Sequence, residues 1–314
     1  MRKIFFLFIA LSSIKAMAQK EDQAEMRVYY NYIHVIDTNF KDKPNTEDMM
    51  LVLGKNASVY TSFEKVRQDE MMRKQIEEQI KNSTGGNANI KISKVGLNPI
   101  SEVDYFYFTS ENKLFAKEKV FNNYIVEEPV ANFNWEIKSD TATIGGLPCQ
   151  KAVGNYKGRS WIAWFCTDLP FNAGPWKLNG LPGLVLQAYD SKKEVQFLFT
   201  SLEKVEPSKE KLDKKTDDAI NTGGVRILFG GGSKDDYMSS TIKIPADAIK
   251  TTKKELDRLK QARKDDPVGF MKTQMAGSGI TGDIKIQSST APKSTITSTP
   301  NRPVLNNPIE LTEK

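Results

Sequence analysis

Gln150-Lys-Ala-Val-Gly-Asn-Tyr156 and Arg159-Ser-Trp-Ile-Ala-Trp-Phe165 are two strand-like arms joined by Lys157-Gly158. Read as a two-residue hairpin loop, Lys157-Gly158 opposes Tyr156 to Arg159 and, counted outward, Cys149 to Cys166. These are the only cysteines in the chain. Opposed pairs alternate between hydrogen-bonded and non-hydrogen-bonded, and the cysteines fall in the second class, where Cα atoms approach to about 4.5 Å. That separation lies at the lower end of what a disulfide accepts, so Cys149–Cys166 is an expected crosslink. Two alternatives stay open: independent buried thiols, or a three-residue loop with a bulge at Gly158 that puts the cysteines on opposite faces. A redox-active pair lacks its C-x-x-C spacing. A zinc site would have only these cysteines and His34, the one histidine, to draw on.

Working outward, strands continue in both directions. Arg27–Ile36 is aromatic and β-branched with period-two alternation, and Met49–Tyr60 repeats that character around a turn at Gly54-Lys55-Asn56. Thr61 and Glu64 form a capping box for a helix reaching about Asn82, with Val66, Met72, Ile76 and Ile80 on one side. Further strands are expected at Ile90–Val95, Val103–Thr109, Lys113–Lys119, Asn123–Glu127 and Trp135–Lys138, and later at Leu184–Leu186 and Val195–Val205. Their short spacing points to an antiparallel meander. Thr252 and Glu255 open a second helix to about Lys264, stopped by Asp265-Asp266-Pro267. The fold class that follows is mainly β: an antiparallel, strongly curved sheet or half-barrel with two short helices.

The amino terminus carries an export signal. Arg2-Lys3 precedes an apolar run from Ile4 to Leu11, and Ala16-Met17-Ala18 supplies the small-x-small cleavage pattern. The run is far short of the roughly 20 residues that span a bilayer. Cleavage leaves Gln19 rather than a cysteine at the new terminus, so a lipoprotein anchor is not expected, and no later stretch has transmembrane length. The organisation is therefore a signal at 1–18, one β-rich domain at 19–285 with a flexible Gly-rich loop at about 207–236, and a Ser/Thr/Pro-rich tail at 286–314. Losing Arg2, Lys3 and Lys15 with no acid takes the formal charge from +6 to +3. The remaining lysines alternate with acids, which argues against a nucleic-acid partner. The expected product is soluble, in the periplasm or envelope, with no integral membrane segment.

After Cys166 the chain reads Gly174-Pro175-Trp176 and then Gly180-Leu181-Pro182-Gly183-Leu184-Val185. Gly183 follows a proline, as in a type II turn, where a residue tolerating positive φ is required. One reading is a compact double turn that plugs the core with Trp176 and Leu181; the other is a surface loop gripping a partner. This block resembles the GLPGLI family of the Bacteroidota, with Val185 in place of the terminal Ile. The match extends to Cys149-Gln-Lys-Ala, Gly158-Arg159, Ala163-Trp164 and the closing Asn307-Pro-Ile-Glu-Leu311. The resemblance implies an exported envelope protein; some relatives accompany TonB-dependent outer-membrane transporters. It implies no established activity, and Cys166 departs from the family pattern.

No catalytic constellation stands out. His34 sits in an expected strand between Ile33 and Val35, Glu127-Glu128 and Asp265-Asp266 fall in loops, and no G-x-S-x-G or P-loop pattern occurs. No catalytic residue, metal site or cofactor is assigned, and an enzyme is not expected. The expected role is a binding, carrier or accessory module with an apolar or peptide ligand, or an outer-membrane transporter as partner. A secreted hydrolase and a purely structural envelope protein are the alternatives. The aromatics Tyr29, Tyr105, Phe106, Tyr107 and Phe108 alternate on strands, so one face is available to line a pocket.

Overall fold

A computed structural model of the chain describes residues 21–81, 101–206, 219–222, 225–228, 237–277 and 305–311. The expected signal, the Ile90–Val95 strand and Ser288–Pro303 lie outside these residues. The first half is a meander of β1 (Asp22–His34), β2 (Asn45–Gly54), β3 (Ala57–Ser62), β4 (Val103–Phe108), β5 (Lys113–Lys119) and β6 (Asn123–Glu128). The second is a meander of β7 (Glu136–Ile144), β8 (Leu147–Tyr156), β9 (Arg159–Cys166), β10 (Leu184–Asp190) and β11 (Val195–Lys204). Antiparallel pairing of β1 with β11 fuses the two. The result is a 13-stranded sheet, with β14 (Thr241–Ile242) on β1 and β15 (Ile249–Lys250) parallel to β6. Its path ends at β15 and β7, which do not pair, so the sheet is open. Of the expected curved sheet or half-barrel, the mainly antiparallel β architecture is what the structure has.

Local chemistry explains where the elements fall. Lys157 and Gly158 both have positive φ, 46° and 71°, as the primed turn of a two-residue hairpin requires, and Tyr156 pairs with Arg159. The α1 helix (Phe63–Lys81) is capped by Ser62, whose hydroxyl accepts from the Lys65 amide at 3.0 Å. Thr61, the expected cap, instead donates to Asp104 at 2.7 Å. In α2 (Lys253–Asp265) the cap is as read, with Thr252 accepting from the Glu255 amide. A third helix, α3 (Pro267–Gly277), follows at once, so Pro267 serves as a first-turn residue as well as a stop. Within the expected loop at 207–236, Ala219–Thr222 (β12) and Val225–Leu228 (β13) form a hairpin.

Period-two alternation splits the buried side chains between the two faces of the sheet. Met26, Val28 and Tyr30 of β1 join Met49, Leu51, Tyr60, Trp161, Phe165 and Phe197 in one core, which the segment after β9 covers. Met50, Val52, Val59, Phe106, Phe108 and Phe115 point the other way, toward Val66 of α1 and Tyr237. That second face holds a buried charge cluster. Asp104, fully buried, accepts from Thr61, from Lys65 at 2.8 and 2.9 Å and from Tyr237, with Lys117 across the strand pair at 3.3 Å.

Burial opposes the Asp104 charge, but Lys65 and Lys117 outweigh it and bring its carboxyl from 3.8 down to about 2. Its stabilising contribution is therefore whole above pH 3.8 and lost as the pH falls toward about 2. Urea denaturation of Asp104→Asn is expected to show a flatter acid limb than the parent over that interval. Lys117→Met should cost about 3 kcal/mol, the lower end for breaking a buried pair, because Lys65 still faces the carboxylate. An unchanged midpoint would contradict this.

Candidate functional site

The covering segment begins where β9 ends. Within the motif Gly174-Pro175-Trp176 and Gly180–Val185, Trp176 and Leu181 enter the core and are 6% and 2% exposed, while Gly180 and Pro182 stay exposed. The motif's turn is tighter than the type II expected: the Gly183 amide donates to the Leu181 carbonyl at 2.9 Å, around Pro182. Gly183 has φ 154°, and a Cβ there would lie 2.3 Å from the Cys166 carbonyl oxygen. Leu184 and Val185 then start β10 fully buried, and Tyr30 donates to the Val185 carbonyl at 2.8 Å, anchoring the motif to the sheet. Trp176 has φ 56°, a conformation that a bulky residue holds only when its surroundings over-determine it. Here Phe133, Tyr156, Trp161 and Phe197 pack around its ring at centroid distances of 5.5 to 6.4 Å.

Trp176 forms one wall of a cavity of about 220 Å³. The floor is set by register. Glu47, Tyr32 and Phe197 lie side by side across β2, β1 and β11, and Tyr60 opposes Tyr105 across β3 and β4. Tyr32 stacks on Phe197 at 5.1 Å and Tyr60 meets it edge-on at 6.1 Å. Met49, Ser101, Glu102, Val103 and Ile309 complete the lining. Tyr60 is 4% exposed and its hydroxyl has no hydrogen-bond partner among the described residues. Burial raises the Tyr60 and Tyr32 phenols above their usual range, and the Glu47 charge adds to both. Burial likewise puts Tyr105 at about 12. All three are neutral phenols over the physiological range.

Ile309 reaches the cavity because the Asn307–Leu311 segment is docked on the sheet. Arg159, buried at the start of β9, donates through Nε to the Ile309 carbonyl at 2.9 Å. Its Nη2 donates to the Asn307 side chain at 2.7 Å and the Pro308 carbonyl at 2.8 Å. Its Nη1 pairs with Asp190 at 2.7 Å, and Asp190 also accepts from the Glu194 and Val195 amides that turn β10 into β11. Nε2 of His34 lies 2.7 Å from the Asn307 carbonyl, and its Nδ1 lies 3.0 Å from the Tyr32 hydroxyl. Both contacts are met by the neutral ring donating from Nε2. Burial lowers its pKa, with Arg159 adding to the effect. Lys177 is gripped by Glu128 and Glu310 at 2.6 Å each. Burial works against its charge, but Tyr105 and the two carboxylates prevail and raise its pKa.

The structure thus brings together Trp176, His34 and the closing Asn307–Leu311, which are far apart in the chain, and leaves the two cysteines outside the cavity lining. Cys149 and Cys166 are buried free thiols. The β8–β9 ladder holds the expected register but ends at Gln150–Phe165, one step short of them; on the other edge of β9, Cys166 pairs with Leu184. Burial and the neighbouring Cys166 push the Cys149 thiol up to about 11, the profile of an inert thiol. Sequence reasoning missed Arg159 and Asp190 as a pair; the only signal was a charge at each end of otherwise apolar strands. Among the described residues no group of His, Cys, Asp and Glu could hold a metal ion, and no helix is long and apolar enough to cross a membrane.

One stretch has a family match. Residues 155–187 match the family described as "Protein of unknown function (Porph_ging)". The match takes in β9, the covering segment and the Gly180–Val185 motif. No curated protein matches the chain. Two solved structures are similar at 13% identity: "Structure of PNGF-II in P21 space group", with a TM-score of 0.40 over 60% of this chain, and "Structure of PNGF-II in C2 space group", with 0.42 over 75%. The chain spans 30% and 32% of the length of those solved chains.

Removing the Arg159 fork is expected to release the carboxyl-terminal segment. In Arg159→Met, the amides of residues 306–311 should exchange with solvent at least about tenfold faster than in the parent, while the β2–β3 amides keep their protection. Equal protection of the segment in both proteins would show that the clamp does not hold it.

Proposed function

We propose that this is an exported envelope protein that binds a small, largely apolar molecule in the aromatic cavity. The observation that supports it is the cavity itself: an open pocket of about 220 Å³ walled by Tyr32, Tyr60, Tyr105, Trp176 and Phe197, with Ser101 and Glu102 at its rim. That is room for a small molecule. Apolar walls with a few convergent polar groups are the usual form of a small-molecule site. The reading is a binder rather than a catalyst, because His34 is engaged at both ring nitrogens and Ser101, the hydroxyl at the rim, donates to Glu47 at 2.6 Å.

The compartment belongs to the same proposal. Arg2-Lys3, the Ile4–Leu11 run and Ala16-Met17-Ala18 carry it, and the GLPGLI resemblance agrees with it. An accessory role beside an outer-membrane transporter rests on that resemblance alone. Native mass spectrometry of protein isolated gently from the periplasm should find a retained small-molecule mass. Trp176→Ala should lose at least nine-tenths of it. Protein recovered only at its bare mass would count against the reading.

The crosslink is part of the proposal too. In an oxidising compartment Cys149 and Cys166 would staple the β8–β9 hairpin one step beyond Gln150–Phe165. Thiol titration of the unfolded, unreduced envelope protein should then find no free thiol, and two would exclude the bond.

A further inference from the structure

The charges around the cavity point to what it holds. Among the described residues, the cations near it are matched by carboxylates: Lys177 by Glu128 and Glu310, Arg159 by Asp190 with Glu194 at 3.6 Å, and Arg263 by Glu102 at 3.9 Å. Glu47, 5% exposed and beside Tyr32, accepts from the amide and hydroxyl of Ser101 and has no cation in ion-pair range among the described residues. Among the described residues no lysine or arginine lines the cavity, whereas Glu102 does. The interior thus combines electron-rich aromatic faces, an acidic side and the unpartnered Tyr60 hydroxyl, which can accept a hydrogen bond.

We infer that the cavity is a site for an organic cation, a small molecule pairing an apolar ring or chain with a protonated or quaternary amine. The inference rests on the binding reading above and names the class of its ligand. Aromatic faces attract a cation through their quadrupole, most strongly where water is excluded. The carboxylate of Glu47, with no cation in ion-pair range among the described residues, adds a field of the same sign. A carboxylate or phosphate ligand meets repulsion from it and finds no unmatched base among the described residues to receive it. The apolar part of the ligand packs on Phe197 and Trp176, and its ammonium faces the Glu47 and Tyr60 side. Ile309 lines the pocket beside it.

Three probes of one shape separate the possibilities: phenethylammonium, phenethyl alcohol and phenylacetate, titrated into the full chain by calorimetry at neutral pH and low salt. The ammonium is expected to bind at least about tenfold tighter than the alcohol, a difference of about 1.4 kcal/mol, and phenylacetate weakest. In Glu47→Gln, which keeps a side-chain oxygen for Ser101, the ammonium's preference over the alcohol should shrink to about threefold. Equal or tighter binding of the alcohol or the acid overturns the cation assignment and leaves ligand binding in the cavity standing. No binding by any probe overturns the cation assignment outright. If native mass spectrometry also shows the bare protein, the binding reading falls with it.

Discussion

A guanidinium sealed into a protein interior must have its charge and all its donors met, or it costs several kcal/mol. Arg159 is such a group, 4% exposed, and what meets it joins three parts of the fold. Asp190 supplies the countercharge while its other oxygen closes the β10–β11 turn. The carbonyls of Pro308 and Ile309 and the side chain of Asn307 take the remaining donors. A planar fork suits this arrangement and an ammonium does not. Without the docked segment, the buried charge would keep only its carboxylates, and the cavity would lose its Ile309 wall.

The motif segment serves the same site from the opposite side. The positive φ of Trp176 is a local cost of roughly 1–3 kcal/mol, sustained because the surrounding packing fixes it, and Gly183, lacking a Cβ, lets the chain pass close to Cys166. What they achieve is placement. The Trp176 ring runs nearly parallel to Phe197, at 14°, and Lys177 beside it ties to Glu310 on the carboxyl-terminal segment. Motif, clamp and cavity are one construction, built from residues that lie on both sides of the sheet's central β1–β11 pair.

Much of this was legible in local chemistry. Lys157-Gly158 set the hairpin register, the alternation of Tyr105, Phe106, Tyr107 and Phe108 set which side chains share a face, and Thr252 marked a helix start. Where two capping candidates stood side by side, the tertiary partner decided: Thr61 was drawn to buried Asp104, leaving Ser62 as the cap. Pro267 was readable as a stop and equally as a start, since a proline fits the first helical turn. The site was much less legible. His34 meets Asn307 across 273 positions, and Arg159 meets it across 148, distances at which no spacing rule operates. The cavity is not a motif at all; it is space left by the packing of five aromatic rings from five separate parts of the chain.

The docking of residues 306–311 against the end of β1 and the β8–β9 loop has a consequence in time. The Ile36 carbonyl accepts from the Asn306 and Asn307 amides, so the chain just past β1 is bonded to the last described segment. Contacts of such long sequence separation form late, because the loop they close must be ordered first. A chain emerging from its amino end can assemble both meanders while Arg159 is still hydrated and the aromatic chamber stands open on one side. The final residues then act as a closing seam. The aromatic chamber thus gains its Ile309 wall only once that seam is in place.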